Sequence, residues 1–141
     1  MMGINRNATQ VMAEIVSNKK VGAYNHIVFA VGDIATHAKP GNFVAIAVGG
    51  TNSAMVLRRA FAIYRTFDKG SNGGLLEIVV APHGAGSIWL TNQLPGFKVD
   101  LIVPLGTSFG IPTEPVRALL VGGGYGSAPL FGLSEVLKNR G

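Results

Sequence analysis

Three stretches hold residue types whose spacing can do chemistry, and the chemistry they share is the holding of an anion. MVLRRAFAIYR, Met55 to Arg65, sets Arg58, Arg59 and Arg65 among residues that otherwise read as a buried strand. A strand guanidinium can hold a phosphate through paired hydrogen bonds, and Phe61 beside it can lie against a planar ring. The other reading is a strand edge whose arginines face water. HGAGS, His83 to Ser87, precedes the apolar IWL. Glycines at a helix entrance let backbone N–H groups approach an anion, and the helix dipole favours negative charge there. Ser87 either caps the helix or touches a phosphate. VGGGYGSAPL, Val121 to Leu130, follows an apolar run and opens a helical one, which is the context of a phosphate-binding glycine turn. Gly122, Gly124 and, loosely, Ser127 meet the Gly-x-Gly-x-x-Gly/Ala spacing. A tight strand-to-helix turn that binds nothing meets it too. His83 has no Ser–His–Asp or metal-spaced partner in the sequence. No catalytic acid, base or nucleophile and no metal ligand is therefore assigned.

These residues need elements to position them. VMAEIV alternates as a strand with Val11, Ala13 and Ile15 on one face, and a turn is expected around Asn18-Lys19-Lys20. YNHIVFAV is a second strand, Tyr24 to Val31. THAKPGN is a loop, with Pro40-Gly41 as its turn signal. FVAIAVG is a third strand, apolar on both faces and so central. Met55 to Arg65 is the fourth, and DKGSNGG, Asp68 to Gly74, is a hairpin loop. LLEIVVA is the fifth. HGAGSIWLTNQL is a glycine turn leading into a short helix, and PGFKVDLIVPLG holds the sixth strand. Six short antiparallel strands with regular turn signals predict a small closed barrel.

The pattern changes after Pro112. RALLVGGG is a short continuous apolar strand ending in glycines. SAPLFGLSEVLKNRG is a helix with Leu130, Leu133, Val136 and Leu137 on one face. Strand, glycine turn and helix open a parallel α/β unit. A parallel strand needs a parallel neighbour, and none follows. One strand and one helix cannot cover both faces of a sheet. The expectation is a fragment: a barrel over residues 1–112 and the first βα unit of a second domain over 113–141.

Composition narrows the function classes. With 48% hydrophobic residues the chain has ample material for a core, which excludes a disordered segment. No apolar run reaches membrane-spanning length, and the polar start MMGINRNATQ lacks a signal-peptide core. The default location is cytoplasmic. There is no cysteine, hence no disulfide, thiolate metal site or iron–sulfur cluster held by these residues. The net charge is +5, but the basic residues are scattered and no basic run interleaves with aromatics. That fits a solvated surface or an anionic small ligand, not nucleic acid.

The order of motifs resembles the ferredoxin reductase-type FAD/NAD superfamily, and within it the electron transfer subunits of B-type dihydroorotate dehydrogenases. That family reads Arg-Arg-Pro-(aromatic or aliphatic)-Ser-Ile in its fourth barrel strand, then Gly-x-Gly-Thr before a short helix. Gly-Pro-Leu-Gly-x-x-Phe and Gly-Gly-Gly-x-Gly-x-Ala-Pro-Leu follow. This chain gives RRAFAI, GAGS, VPLGTSF and GGGYGSAPL in the same order, and KPGNFVAI is similar to the family's Pro-Gly-x-Phe strand.

The resemblance implies a mainly β fold: a six-stranded antiparallel Greek-key FAD-binding barrel followed by the start of a Rossmann-like NAD-binding domain. It implies FAD and NAD as cofactors. Arg59 would contact the FAD pyrophosphate, Phe61 would pack by the isoalloxazine, and Ala60 and Ala62 would lie along it. Val79, Val80 and Ala81 would line the flavin and its ribityl chain. Gly86 and Ser87 would meet the pyrophosphate. Gly122, Gly123, Gly124, Tyr125 and Gly126 would face the pyridine nucleotide, with Ala128 and Pro129 shaping the turn. Ala60 stands where the family has proline and Ala62 where it has serine. The missing hydroxyl removes a hydrogen bond worth about 0.5–1.5 kcal/mol. The resemblance further implies an FMN-containing dihydroorotate dehydrogenase catalytic subunit as partner, in a heterotetramer. A [2Fe–2S] cluster is expected only in the full-length protein, beyond this cysteine-free stretch. Two other readings stay open: the FAD subunit of another ferredoxin-, sulfide- or glutamate-linked reductase, and a non-redox β-barrel interaction module.

Overall fold

The computed structural model describes residues 8–68 and 73–141. Residues 69–72 of the expected DKGSNGG loop, and most of MMGINRNATQ, lie outside the described residues. The chain runs β1 (Thr9–Val21), β2 (Tyr24–Ala30), β3 (Phe43–Ile46), β4 (Arg59–Ala62), β5 (Arg65–Phe67), β6 (Leu75–Val80), α1 (Ala85–Thr91), β7 (Lys98–Leu105) and α2 (Ala128–Asn139). All strand pairs are antiparallel, in the order β4-β3-β7-β1-β2-β6-β5.

Among the described residues seven strands form where six were expected, because the fourth breaks in two. Ile63 and Tyr64 turn a corner. The Ile63 amide bonds to the Asn42 carbonyl ahead of β3, and the Tyr64 amide bonds to the Glu77 carbonyl on β6. The chain therefore changes partner between β4 and β5. These two strands are the opposite edges of the sheet, yet Ala62 and Arg65 are three peptide steps apart. Three extended steps reach roughly 11 Å, so the sheet must curl until its edges meet. It is a curled sheet rather than a hydrogen-bonded closed barrel, since among the described residues no ladder joins β4 to β5 or to β6.

The predicted turn at Asn18-Lys19-Lys20 is strand instead. Asn18, Lys19 and Lys20 pair with Ile27, His26 and Asn25. The hairpin turns at Gly22, whose φ of +60° suits glycine. The stretch RALLVGGG forms no strand among the described residues. A short apolar run has no hydrogen-bonded ladder to join without a neighbouring strand. Of the expected βα unit, the described residues show the glycine turn and the helix but not the strand.

Alternation sets the core. Ala13 and Ile15 are fully buried with Val11 packed beside them, as one face of β1 predicts. Phe29 pairs with Ile15 on one side and Leu76 on the other, and all three are fully buried. Each such side chain contributes about 1.5–3 kcal/mol by leaving water. β3 is paired on both sides, as its apolar faces require, and buries Val44 and Ile46. Among the described residues no helix is long and apolar enough to cross a membrane.

Candidate functional site

β4 ends at the curled edge, and its pleat decides what each residue does. Ala60 and Ala62 are exposed on one face, while Arg59 and Phe61 are half-buried on the other. Phe61 packs against the core. Across the seam, β6 leaves Val79 half-exposed and sinks Val80 into the core. Beyond these strands lies the turn before α2. Gly122 to Ser127 make a compact turn in which the Ser127 hydroxyl donates to the Gly124 carbonyl at 2.6 Å. A Cβ on Gly122 would stand 2.8 Å from the Ser127 Cα, so this close return needs glycine.

The three segments enclose one cleft of about 360 Å³, lined by Ala60, Phe61, Ala62, Val79, Val80, Ala81, His83, Tyr125, Gly126, Ala128 and Pro129. Every lining residue except His83 was singled out from the sequence. A second cavity, of about 540 Å³, takes in Gly122, Gly124 and Ser127 with Tyr24, Tyr64 and Phe131. The two share Val79, Tyr125 and Ala128. Gly123 lines neither.

Arg59, Gly86 and Ser87 gather next to the cleft rather than in it. The side chain of Arg59 lies against α1: a Cβ on Gly86 would be 2.9 Å from its Nε and 3.0 Å from its Cγ. Arg59 Nη1 donates to the Leu57 carbonyl at 2.6 Å. The Ser87 hydroxyl accepts from the amides of His83 and Gly84, both at 3.1 Å, and donates to the Gly84 carbonyl at 3.0 Å. It is buried, and its hydroxyl shapes the turn at the start of α1. His83 Nδ1 sits 2.9 Å from the Ala81 carbonyl, so it donates there.

Arg58 has a different task from its neighbour. Its Nη2 is 2.6 Å from Asp100 Oδ2 and its Nη1 donates to the Asp100 carbonyl at 3.0 Å. Gln10 donates to the same carboxylate. Partial burial pulls the Asp100 pKa upward, but hydrogen bonds from Arg58 and Gln10 with the Arg58 charge outweigh it, and the pKa lies below its ordinary 3.8. A carboxylate with a lowered folded pKa contributes stability that is present above 3.8 and lost as pH falls through the folded value. Thermal melts should therefore show Arg58→Ala less stable than wild type by about 1–2 kcal/mol at pH 7. The gap should narrow as pH falls below 3.8, leaving only the part due to the bond to the Asp100 backbone carbonyl. A gap that stays constant on acidification would refute the pairing.

Sequence reading missed Tyr24, His26, Tyr64 and Glu77. They form a polar and aromatic wall in which His26 Nε2 is 2.8 Å from Glu77 Oε2. The register that sets His26 against Val79 and Val28 against Glu77 brings them together. Their only sequence signal was polar residues at alternate strand positions. The described residues hold no cluster of three or more His, Cys, Asp or Glu able to hold a metal.

No family model matches the chain. It is 38% identical over 110 residues to the dihydroorotate dehydrogenase B (NAD+) electron transfer subunit of Geobacillus thermodenitrificans, covering 77% of this chain and 41% of that protein. Against the same subunit of Lysinibacillus sphaericus it is 31% identical over 136 residues, covering 94% and 51%. Among solved structures, an NADH-dependent reduced ferredoxin-NADP oxidoreductase superposes with TM-score 0.77 and 26% identity, covering 100% of this chain and 47% of that one. Phthalate dioxygenase reductase superposes with TM-score 0.71 and 17% identity, covering 95% and 40%. The chain spans about two fifths to one half of the curated relatives it matches. It is a homologue of the dihydroorotate dehydrogenase B electron transfer subunits over that span, and it has the ferredoxin reductase-type fold.

Proposed function

We propose that the chain is the FAD-binding part of an electron transfer subunit, a flavoprotein oxidoreductase component. The single observation that carries this reading is the cleft between β4, the end of β6 and the turn before α2. Its walls fit a flat, largely apolar ring system. Ala60 and Ala62 offer only methyl groups, Val79 and Phe61 are apolar, and Gly126 has no side chain. Its volume lies in the usual range for small-molecule sites. Arg59 stands beside it as the cation for a pyrophosphate, and the missing side chain of Gly86 is what lets Arg59 lie against α1. The turn from Gly122 to Gly126, shaped by Ala128 and Pro129, is assigned to the pyridine nucleotide. On this reading residues 1–112 form the flavin domain and 113–141 belong to an NAD-binding domain.

FAD, when bound, supplies hydride and single-electron chemistry, and the protein supplies binding, orientation and exclusion of water. In the full-length protein electrons would pass from the FMN of a dihydroorotate-oxidising catalytic subunit through a [2Fe–2S] cluster to FAD and on to NAD, in a cytoplasmic heterotetramer of pyrimidine biosynthesis. With no cysteine, these residues do not fit the cluster, which is assigned to the remainder of that protein. The 26% identity to the ferredoxin-NADP oxidoreductase favours a second reading, the FAD subunit of another reductase.

Anaerobic mixing of the FAD-loaded full-length protein with NADH tests the oxidoreductase role. Bleaching of the flavin band is expected. A stable oxidised band would contradict it, and failure of the protein to take up FAD at all would favour the non-redox module. Reoxidation by an FMN-containing dihydroorotate dehydrogenase subunit, but not by ferredoxin, would separate the two reductase readings.

A further inference from the structure

Tyr64 and Arg65 occupy the corner that joins the two sheet edges, and both reach α2. The Tyr64 ring stacks on Phe131 with centroids 4.7 Å apart and planes 20° apart, and meets His26 edge-on at 5.8 Å. Arg65 Nη2 is 3.0 Å from Glu135 Oε1. Its guanidinium lies 4.1 Å from the Phe67 ring centroid and 5.6 Å from that of Phe131. Phe131 and Glu135 are four residues apart and share one helix face. Gly132 lies between them, and a Cβ there would be 3.3 Å from the Tyr64 carbonyl oxygen. The helix thus approaches the corner backbone closely and clasps it from both sides.

What this fixes is the start of the helix. Tyr125, Gly126, Ala128 and Pro129 line the cleft, and Phe131 follows within one turn. The segment leading to them, residues 107–123, forms no helix or strand. Tyr64 and Arg65 therefore tie the helix that follows the glycine turn to the corner between β4 and β5.

We propose that Tyr64 and Arg65 are positioning residues, which lock α2 to the corner so that the turn before it roofs the cleft at a fixed spacing. The joint stands on these contacts alone; its use for a bound flavin rests on the function proposed above.

The test uses amide hydrogen exchange on the full chain, comparing α2 with the sheet. Arg65→Ala should speed exchange in α2 about tenfold, the loss of one ion pair with its cation–π contact, and Glu135→Ala about threefold, the loss of the ion pair alone, with sheet exchange unchanged. The double exchange Arg65→Glu with Glu135→Arg should restore protection. Tyr64→Phe should keep it and Tyr64→Ala should lose it. Unchanged α2 exchange in the single variants, or no rescue by the double, would overturn the joint whether or not flavin binds. On FAD-loaded protein, dissociation of FAD should be faster in the singles by about the same factor as exchange in α2, and normal in the double. Unchanged dissociation alongside a loosened α2 would overturn the roofing role. A wild type that binds no FAD, with the exchange pattern as expected, would leave the joint standing and remove only the flavin reading.

Discussion

Arg59→Ala is expected to weaken FAD binding by roughly ten- to a hundredfold, the 1.5–3 kcal/mol of hydrogen bonds to a charged group. Titration of the protein with FAD, followed in the visible band, measures it directly. The expectation comes from place as well as charge. Arg59 is brought to α1 by β4, and its side chain lies so close against Gly86 that a Cβ there would crowd it. Lysine at the same position should recover only part of the loss, because it keeps the charge but not the guanidinium fork. Arg58→Ala is the internal control. It sits one residue away with the same charge, but two of its donors are committed to Asp100. It should leave FAD affinity within about twofold while lowering stability, so that the two arginines separate cleanly. Equal effects from the two would mean that only general positive charge matters, and the assignment of Arg59 would fall.

Phe29→Ala should cost about 3–5 kcal/mol of stability. That corresponds to a fall in melting temperature of roughly 10–20 °C for a domain of this size. Phe29 is fully buried and lies between Ile15 and Leu76 in the ladder. Truncation removes the ring and leaves a void that close-packed strands cannot fill. The cleft depends on this only through β6, whose Val79, Val80 and the following Ala81 form one wall. FAD affinity well below the melting transition should therefore change little, while the temperature at which flavin is released should fall with the melt. A melting temperature within a few degrees of wild type would show that the curled sheet is not packed as described.

These two expectations differ in how far the sequence alone reaches. Local signals were legible. Val11, Ala13 and Ile15 alternate as a buried face must, and α2 follows its apolar period with Leu133 buried. The glycine turns at Gly84 and Gly122 precede helices as their composition demands. The residues picked from RRAFA, the end of β6 and the turn before α2 meet in one cleft. What was not legible depends on partners far along the chain. AFAIY runs without a polar or turn-forming residue after the two arginines, and nothing local marks Ile63-Tyr64 as a corner. The corner exists because amides on either side find carbonyls at Asn42 and Glu77. The separate tasks of Arg58 and Arg65 depend on Asp100 and Glu135, and register rather than pattern brings those pairs together. RALLV has the composition of a strand, but strand formation is a property of a pair.

The most direct test of the central claim is the visible absorption spectrum of the purified wild-type chain before and after addition of FAD and removal of the excess. A retained flavin band, perturbed from that of free FAD, is the predicted result. Loss of all flavin on removal of the excess, from a chain shown by its melt to be folded, would contradict the claim that this cleft is a flavin site.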